Sequence, residues 1–273
     1  MAWWQWVAGG RPAAGKGLLL AALIAALVVS APRADAAKPL MLGAWLPNGF
    51  DSSQIAPFQQ MIGRRADIVA VSMPWSGPNG YLGFNVAAAW AYGVSRNGSV
   101  PMIGWEPMIG PGGASVYPAP LPGACPGQIA SAPANDSVIQ YIANFAHQVA
   151  AYRSIVLIRM MHEPNYAPPS GGWYWSLGAN PWCGNVSESD YIAAWRRVVA
   201  IFRYEGATNA KFIWCINWQS WGVPDLVGSY PGDDVVDYTA IDATIGAARP
   251  GSPSISFSVR PTTRSRGSRR DRS

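Results

Sequence analysis

Ser154-Ile155-Val156-Leu157-Ile158-Arg159-Met160-Met161-His162-Glu163-Pro164-Asn165 is the stretch on which the fold reading turns. Its first part is a short apolar run rich in β-branched residues, which reads as a buried parallel strand. Glu163 then falls just beyond the strand's C-terminal end. In a (β/α)8 barrel that end carries the chemistry, and a carboxylate there is a candidate for acid/base work. The same residue also reads as a buried structural carboxylate beside Arg159, since strand-end carboxylates have that use too.

Outward from this stretch, residues 38 to 242 alternate strand-like and helix-like segments. Strands are expected at Leu40–Leu46, Ile68–Ser72, Pro101–Glu106, Ile155–Met160, Phe212–Asn217 and Val235–Asp242. Helices are expected at Gln54–Arg65, Phe84–Asn97, Ser137–Tyr152 and Glu188–Glu205. Asp51-Ser52-Ser53, Asn135-Asp136 and Ser187 supply N-caps, Glu188 and Asp190 suit the last helix's dipole, and Gly206 supplies a C′ glycine. The alternation predicts a parallel α/β architecture. Long aromatic loops after the strands, and no Gly-x-Gly-x-x-Gly after the first, favour a TIM barrel over a doubly wound sheet. A full barrel needs eight strands and typically about 250 residues. The expectation is therefore an incomplete barrel of about six β/α units.

Cys125, Cys183 and Cys215 are an odd count for a secreted chain. The first two fall in loops on the same barrel face and are expected to pair, while Cys215 reads as a small buried strand residue. With only His147 and His162 available, no metal-ligand spacing is present, and no cofactor is expected.

The two ends have a different character. Arg11 and Lys16, the twelve apolar residues Leu18 to Val29, and Ala34-Asp35-Ala36 predict a secretory signal peptide over residues 1–36. A membrane span needs about 20 apolar residues, so an uncleaved anchor is the weaker reading. Trp3, Trp4 and Trp6 are unusual for an n-region and suggest an upstream mis-start. From Ala243 on, seven arginines stand against one aspartate among Ser, Pro, Thr and Gly. That is +6 of a chain total of +5, so the preceding part sums to −1. A basic tail of this kind can bind nucleic acid, but a disordered end without a role is the preferred reading, with no nucleic-acid partner expected.

The motif Arg159 to Asn165, followed by Trp173-Tyr174-Trp175, resembles the fourth-strand region of glycoside hydrolase family 26, the β-mannanase family and its relatives. Gly104-Trp105-Glu106-Pro107, Tyr191-Ile192-Ala193-Ala194-Trp195-Arg196, Gly206 to Trp214, and Tyr230-Pro231-Gly232-Asp233-Asp234 leading to Ile241-Asp242 extend the similarity over residues 40 to 242. The resemblance implies a secreted, monomeric, retaining β-glycanase with a polysaccharide substrate. Glu163 is then the general acid/base, with His162 beside it. A site walled by aromatics would raise Glu163's pKa toward working pH. Trp173, Trp175, Trp105, Trp45 and Trp218, with Glu106 and Asn165, are the expected substrate-binding residues. The Pro168 to Gly172 loop argues for exposure of Trp173 and Trp175, whereas Trp195 and Trp214 read as core.

The similarity stops at Asp242. Relatives carry the nucleophile on a Glu after a seventh strand, and where the family pattern continues Gly-Tyr-Asn-Trp-Gly, this chain has Ala243-Thr244-Ile245-Gly246-Ala247. A one-nucleotide deletion converts codons for the first into codons for the second. Residues 243–273 are accordingly expected to be an out-of-frame tail. A barrel without its last strands would expose unpaired edges and lack the nucleophile, so activity is expected to be impaired. The alternatives are a non-catalytic polysaccharide-binding protein and a nonfunctional truncated product.

Overall fold

The computed structural model describes residues 41–46, 49–110, 119–167, 172–220 and 226–244, with the backbone of 255–261. The expected signal peptide lies outside them. The elements run β1 (Gly43–Trp45), α1 (Ile55–Ile62), β2 (Ile68–Gly77), β3 (Gly80–Tyr81), α2 (Asn85–Arg96), β4 (Val100–Ile109), β5 (Ala119–Pro120), α3 (Pro126–Ser131) and α4 (Ser137–Tyr152). They continue with β6 (Val156–Met160), β7 (Gly178–Asn180), β8 (Gly184–Val186), α5 (Glu188–Tyr204), β9 (Ala210–Asn217), β10 (Tyr238–Thr244) and β11 (Ile255–Pro261).

Each expected helix is present, and its ends follow from its sequence. The Asp51 carboxylate accepts from the Ser53 amide ahead of α1, and Gly63 at φ 67° ends that helix. Asp136 caps α4 through the Val138 amide, and Ser187 caps α5 through the Asp190 amide. The sequence reading had missed α3 and the short hairpin strands. It had also begun the last strand at Val235, where the chain is still a buried turn leading to Tyr238.

Strands β1, β2, β4, β6, β9 and β10 lie side by side in chain order, every neighbouring pair parallel. Right-handed crossovers in one direction put the helices on one face and curl the sheet toward a barrel. This is the expected incomplete (β/α)8 architecture. The far edge differs from expectation. Within the stretch read as a disordered tail, β11 pairs antiparallel with β10, setting Phe257 opposite Asp242, so β10 is not an open edge. A strand cut short of barrel closure exposes unpaired N–H and C=O groups, which an antiparallel partner satisfies. The remainder of 245–273 lies outside the described residues.

Alternation along the strands divides the apolar residues into two sets. Val69, Val71, Ile103, Ile158 and Phe212 pack against the helices with Trp90, Phe145, Trp195 and Phe202. Burying each such side chain contributes about 1.5–3 kcal/mol. Ile68, Ala70, Met102, Leu157, Ile213, Cys215 and Ala240 form a smaller cluster on the other, concave face. Two to four residues further along the same strands, with the same parity, the concave face turns polar: Ser72, Glu106, Arg159, Asn217 and Asp242. The C-terminal ends of the strands thus carry the titratable groups.

Candidate active site

The chain leaves β6 through two non-glycine residues in the left-handed region, Met161 at φ 42° and Glu163 at φ 51°. Such conformations cost about 1–3 kcal/mol each and persist where surrounding bonds over-determine them. Here four backbone groups of the turn have partners. The Tyr191 hydroxyl donates to Met161 O at 2.8 Å, and Trp175 Nε1 donates to His162 O at 2.7 Å. Glu163 N donates to Cys215 O in β9 at 2.7 Å, and Tyr166 N donates to Glu163 O at 2.9 Å.

This turn presents the Glu163 carboxyl between two neutral donors. Trp173 Nε1 reaches Oε2 at 3.0 Å, and Asn217 Nδ2 reaches Oε1 at 3.0 Å. The side chain is half-buried. Burial raises its carboxyl above the usual range. The Trp173 bond pulls it back, the Asp242 charge pushes it up again, and Asn217 and Arg159 oppose more weakly. The net direction is upward, as a group that must hold a proton requires.

His162 is buried against the rings of Trp173 and Trp175, with centroids 4.9 and 5.5 Å away. Burial, and then the Arg159 charge, hold its imidazole well below the usual 6.5, so it is neutral at neutral pH. Arg159 points along the concave face and ion-pairs with Asp242 from β10. The structural reading of Glu163 as Arg159's partner is therefore not what the fold adopts: Asp242 takes that place. Glu106, 4% exposed, lies on the same face. Burial pushes its carboxyl up to about 7 against the pull of Arg159 and a Ser72 hydrogen bond.

Of the expected substrate-binding residues, Trp218 is 60% exposed beside this cluster, its amide bonded to Asp242 O at 2.9 Å. Trp45 is exposed in β1, and Trp173 is half-buried. Four others require correction because they are buried beyond reach of a substrate. Trp105 is inside the aromatic core, donating to the Tyr141 hydroxyl at 3.0 Å and stacked on Phe145. Trp175 lies behind Trp173, rings nearly parallel at 5.4 Å, and holds the His162 carbonyl. Asn165 is 0% exposed and grips the Asn217 backbone from both sides: Nδ2 donates to Asn217 O, and Asn217 N donates to Oδ1, each at 2.9 Å. Asn165 thus positions a residue that positions Glu163. Glu106 is likewise buried, with a Ser72 hydrogen bond and the nearby Arg159 charge acting on it. Trp195 and Trp214 are core, as expected.

Two site residues were not singled out from sequence, Asn217 and Tyr191. Asn217 carried a readable signal, a polar side chain at the C-terminal end of a strand on the concave face. Cys125 and Cys183 are joined by a disulfide and Cys215 is a buried free thiol. His162, Glu163 and Asp242 bring one possible ligand atom each to within 4.8 Å of one another. No spacing rule finds that trio, because Asp242 arrives from a distant strand. Its donor set suits a divalent cation poorly, since Arg159 already neutralises Asp242 and Glu163 is held by two N–H donors.

No family model matches the chain. It is 34% identical over 205 residues to Endoglucanase H of Acetivibrio thermocellus, a match covering 74% of this chain and 19% of that relative's length. In structure it is similar to the family-26 glycoside hydrolase domain of a Prevotella bryantii endo-β-mannanase/endo-β-glucanase. That match has a TM-score of 0.54 at 16% identity, over 76% of this chain and 68% of the other. It is similar also to Bacillus subtilis mannanase, with a TM-score of 0.53 at 14% identity, over 77% and 65%. A ruminal endo-β-1,4-mannanase of family 26 gives a TM-score of 0.53 at 16% identity, over 79% and 48%. In the motif at the end of β6 and in its curled parallel sheet, the chain resembles the glycosidases of glycoside hydrolase family 26.

Proposed function

We propose that this chain is a secreted glycoside hydrolase of the retaining type, acting within β-linked polysaccharide such as β-1,4-mannan, with Glu163 as general acid/base. The observation that carries the reading is the Glu163 carboxyl, raised in pKa at a strand's C-terminal end between Trp173 Nε1 and Asn217 Nδ2. Protonated, it gives its proton to the departing glycosidic oxygen. Ionised, it is stabilised by the same two donors and takes a proton from water in the second half of the reaction. Trp218 offers a flat exposed face for a sugar ring, and neutral His162 borders the site.

Impaired turnover is part of the proposal. Among the described residues, the buried carboxylates on the same face are Asp242, ion-paired with Arg159, and Glu106, on which the Arg159 charge and a Ser72 hydrogen bond act. A retaining reaction needs its second carboxylate free, about 5–5.5 Å from the first. The Arg159–Asp242 pairing favours, as a second reading, a polysaccharide-binding protein without turnover.

Reducing-sugar release from mannan and mixed-linkage β-glucan tests both readings, with and without azide as an external nucleophile. Release that depends on Glu163, or an azide-dependent glycosyl azide product from an activated aryl β-glycoside, supports the hydrolase. Binding with neither product supports the second reading.

A further inference from the structure

A cleft of about 330 Å³ lies beside the Cys125–Cys183 disulfide, lined by Gln128, Ser131, Trp182, Asn185 and Asp190 among others. It shares none of its lining with the groups around Glu163. Its volume falls at the lower end of the roughly 300–1,000 Å³ of small-molecule sites. We propose that this cleft is a second carbohydrate-binding site, one that takes a short stretch of pyranose units against the Trp182 ring.

The chemistry of its walls points to a sugar. Trp182 is 41% exposed and packs edge-on against Tyr174 at 4.6 Å and 79°, which fixes an indole on the wall of a polar cleft. Around it stand the groups that hydroxyls need. Gln128 spends Oε1 on the Cys125 amide, which directs its NH2 end elsewhere. Asp190 accepts from the Ser187 hydroxyl through Oδ2, and Gly127 opposite has no side chain to cover that carboxylate: a Cβ there would sit 3.5 Å from it. Carboxylate, amide and aromatic face together match a pyranose, with its hydroxyl rim and apolar C–H face.

The cleft is also held rigidly, which lowers the ordering cost of binding. The disulfide ties α3 to the β7–β8 hairpin. Buried Asn180 accepts from the Trp182 and Cys183 amides while donating to the carbonyls of Trp173, Tyr174 and Ser176. One side chain thus ties the Trp182 turn to the loop that carries Glu163's donor.

The proposal extends the polysaccharide reading and rests on it only for the choice of probe. The test is affinity electrophoresis of the full chain toward the cathode, in native gels containing barley mixed-linkage β-glucan or carob galactomannan. Retardation by one glycan is expected, weakened roughly five- to tenfold in apparent affinity by Trp182→Ala. Asp190→Asn should weaken it too, with circular dichroism unchanged in both variants. No retardation by either glycan overturns the proposal. So does retardation that survives Trp182→Ala, or that is abolished only by Trp218→Ala. Hydrolysis is assayed separately on the same protein. Trp182-dependent binding with neither hydrolysis nor azide-dependent product defeats the hydrolase reading and leaves the cleft standing.

Discussion

Glu163 and Asp242 are carboxylates at the C-terminal ends of two strands of one sheet, with oxygens within 4.8 Å of each other. They are held in opposite ways. Glu163 is half-buried and takes its hydrogen bonds from an indole and an amide, neutral donors that stabilise the anion without forbidding the acid. Asp242 is 8% exposed and takes a guanidinium, which holds it in a buried ion pair. Neutral donors leave the raised Glu163 carboxyl able to exchange its proton, whereas the buried cation ties Asp242 into a fixed charged contact. The contrast separates a group suited to move protons from one suited to hold a charged scaffold.

The sharpest way to break the comparison is at Glu163 itself. Glu163→Gln should lower any glycosidase rate by about a thousandfold and cost only about 1–3 kcal/mol in urea unfolding, because the carboxamide keeps one acceptor oxygen and turns its NH2 toward the other N–H donor. A large loss of stability with retained activity would show that Glu163 is the scaffold. Arg159→Met should do the reverse and cost about 3–5 kcal/mol in urea unfolding, by leaving Asp242 buried without its cation. A neutral result there removes the distinction between the two sites.

A smaller effect concerns Glu106. The folded protein holds a proton on it up to about pH 7, which the unfolded chain releases near its ordinary value of 4.5. Within that window the native state binds more protons, so stability falls as pH rises, by about 3 kcal/mol in all. Glu106→Gln should flatten that slope, and equilibrium unfolding at several pH values checks it. The smallest effect expected is from Trp173→Phe. The indole's hydrogen bond lowers Glu163's pKa, so its loss should move the alkaline limb of the rate profile to higher pH, measured on any substrate the protein turns over.

The features legible in the sequence were local or periodic. Glu163's place followed from one apolar run and its end, and the helix caps followed from single Asp and Ser residues. The disulfide followed from two loops known to leave the same barrel face. The features that were missed depend on what meets a side chain from elsewhere in the chain. Trp173 and Trp175 are two residues apart in one loop, yet one lines the site and the other backs it. Asn165 stands in the same motif as Glu163 and reads equally well as a ligand for sugar. Only the arrival of β9 shows that it is spent on the Asn217 backbone. Arg159's partner lies 83 residues away, a distance over which no pattern rule works.

The bond from the Glu163 amide to the Cys215 carbonyl also sets an order of events. The turn that aims the acid is strained until β9 is alongside β6, and Asn217, one of Glu163's two donors, arrives on that same strand. A nascent chain that has released β6 from the ribosome but not β9 therefore has the residue without its geometry. The geometry around Glu163 is completed by the docking of one strand rather than by the closing of its own loop.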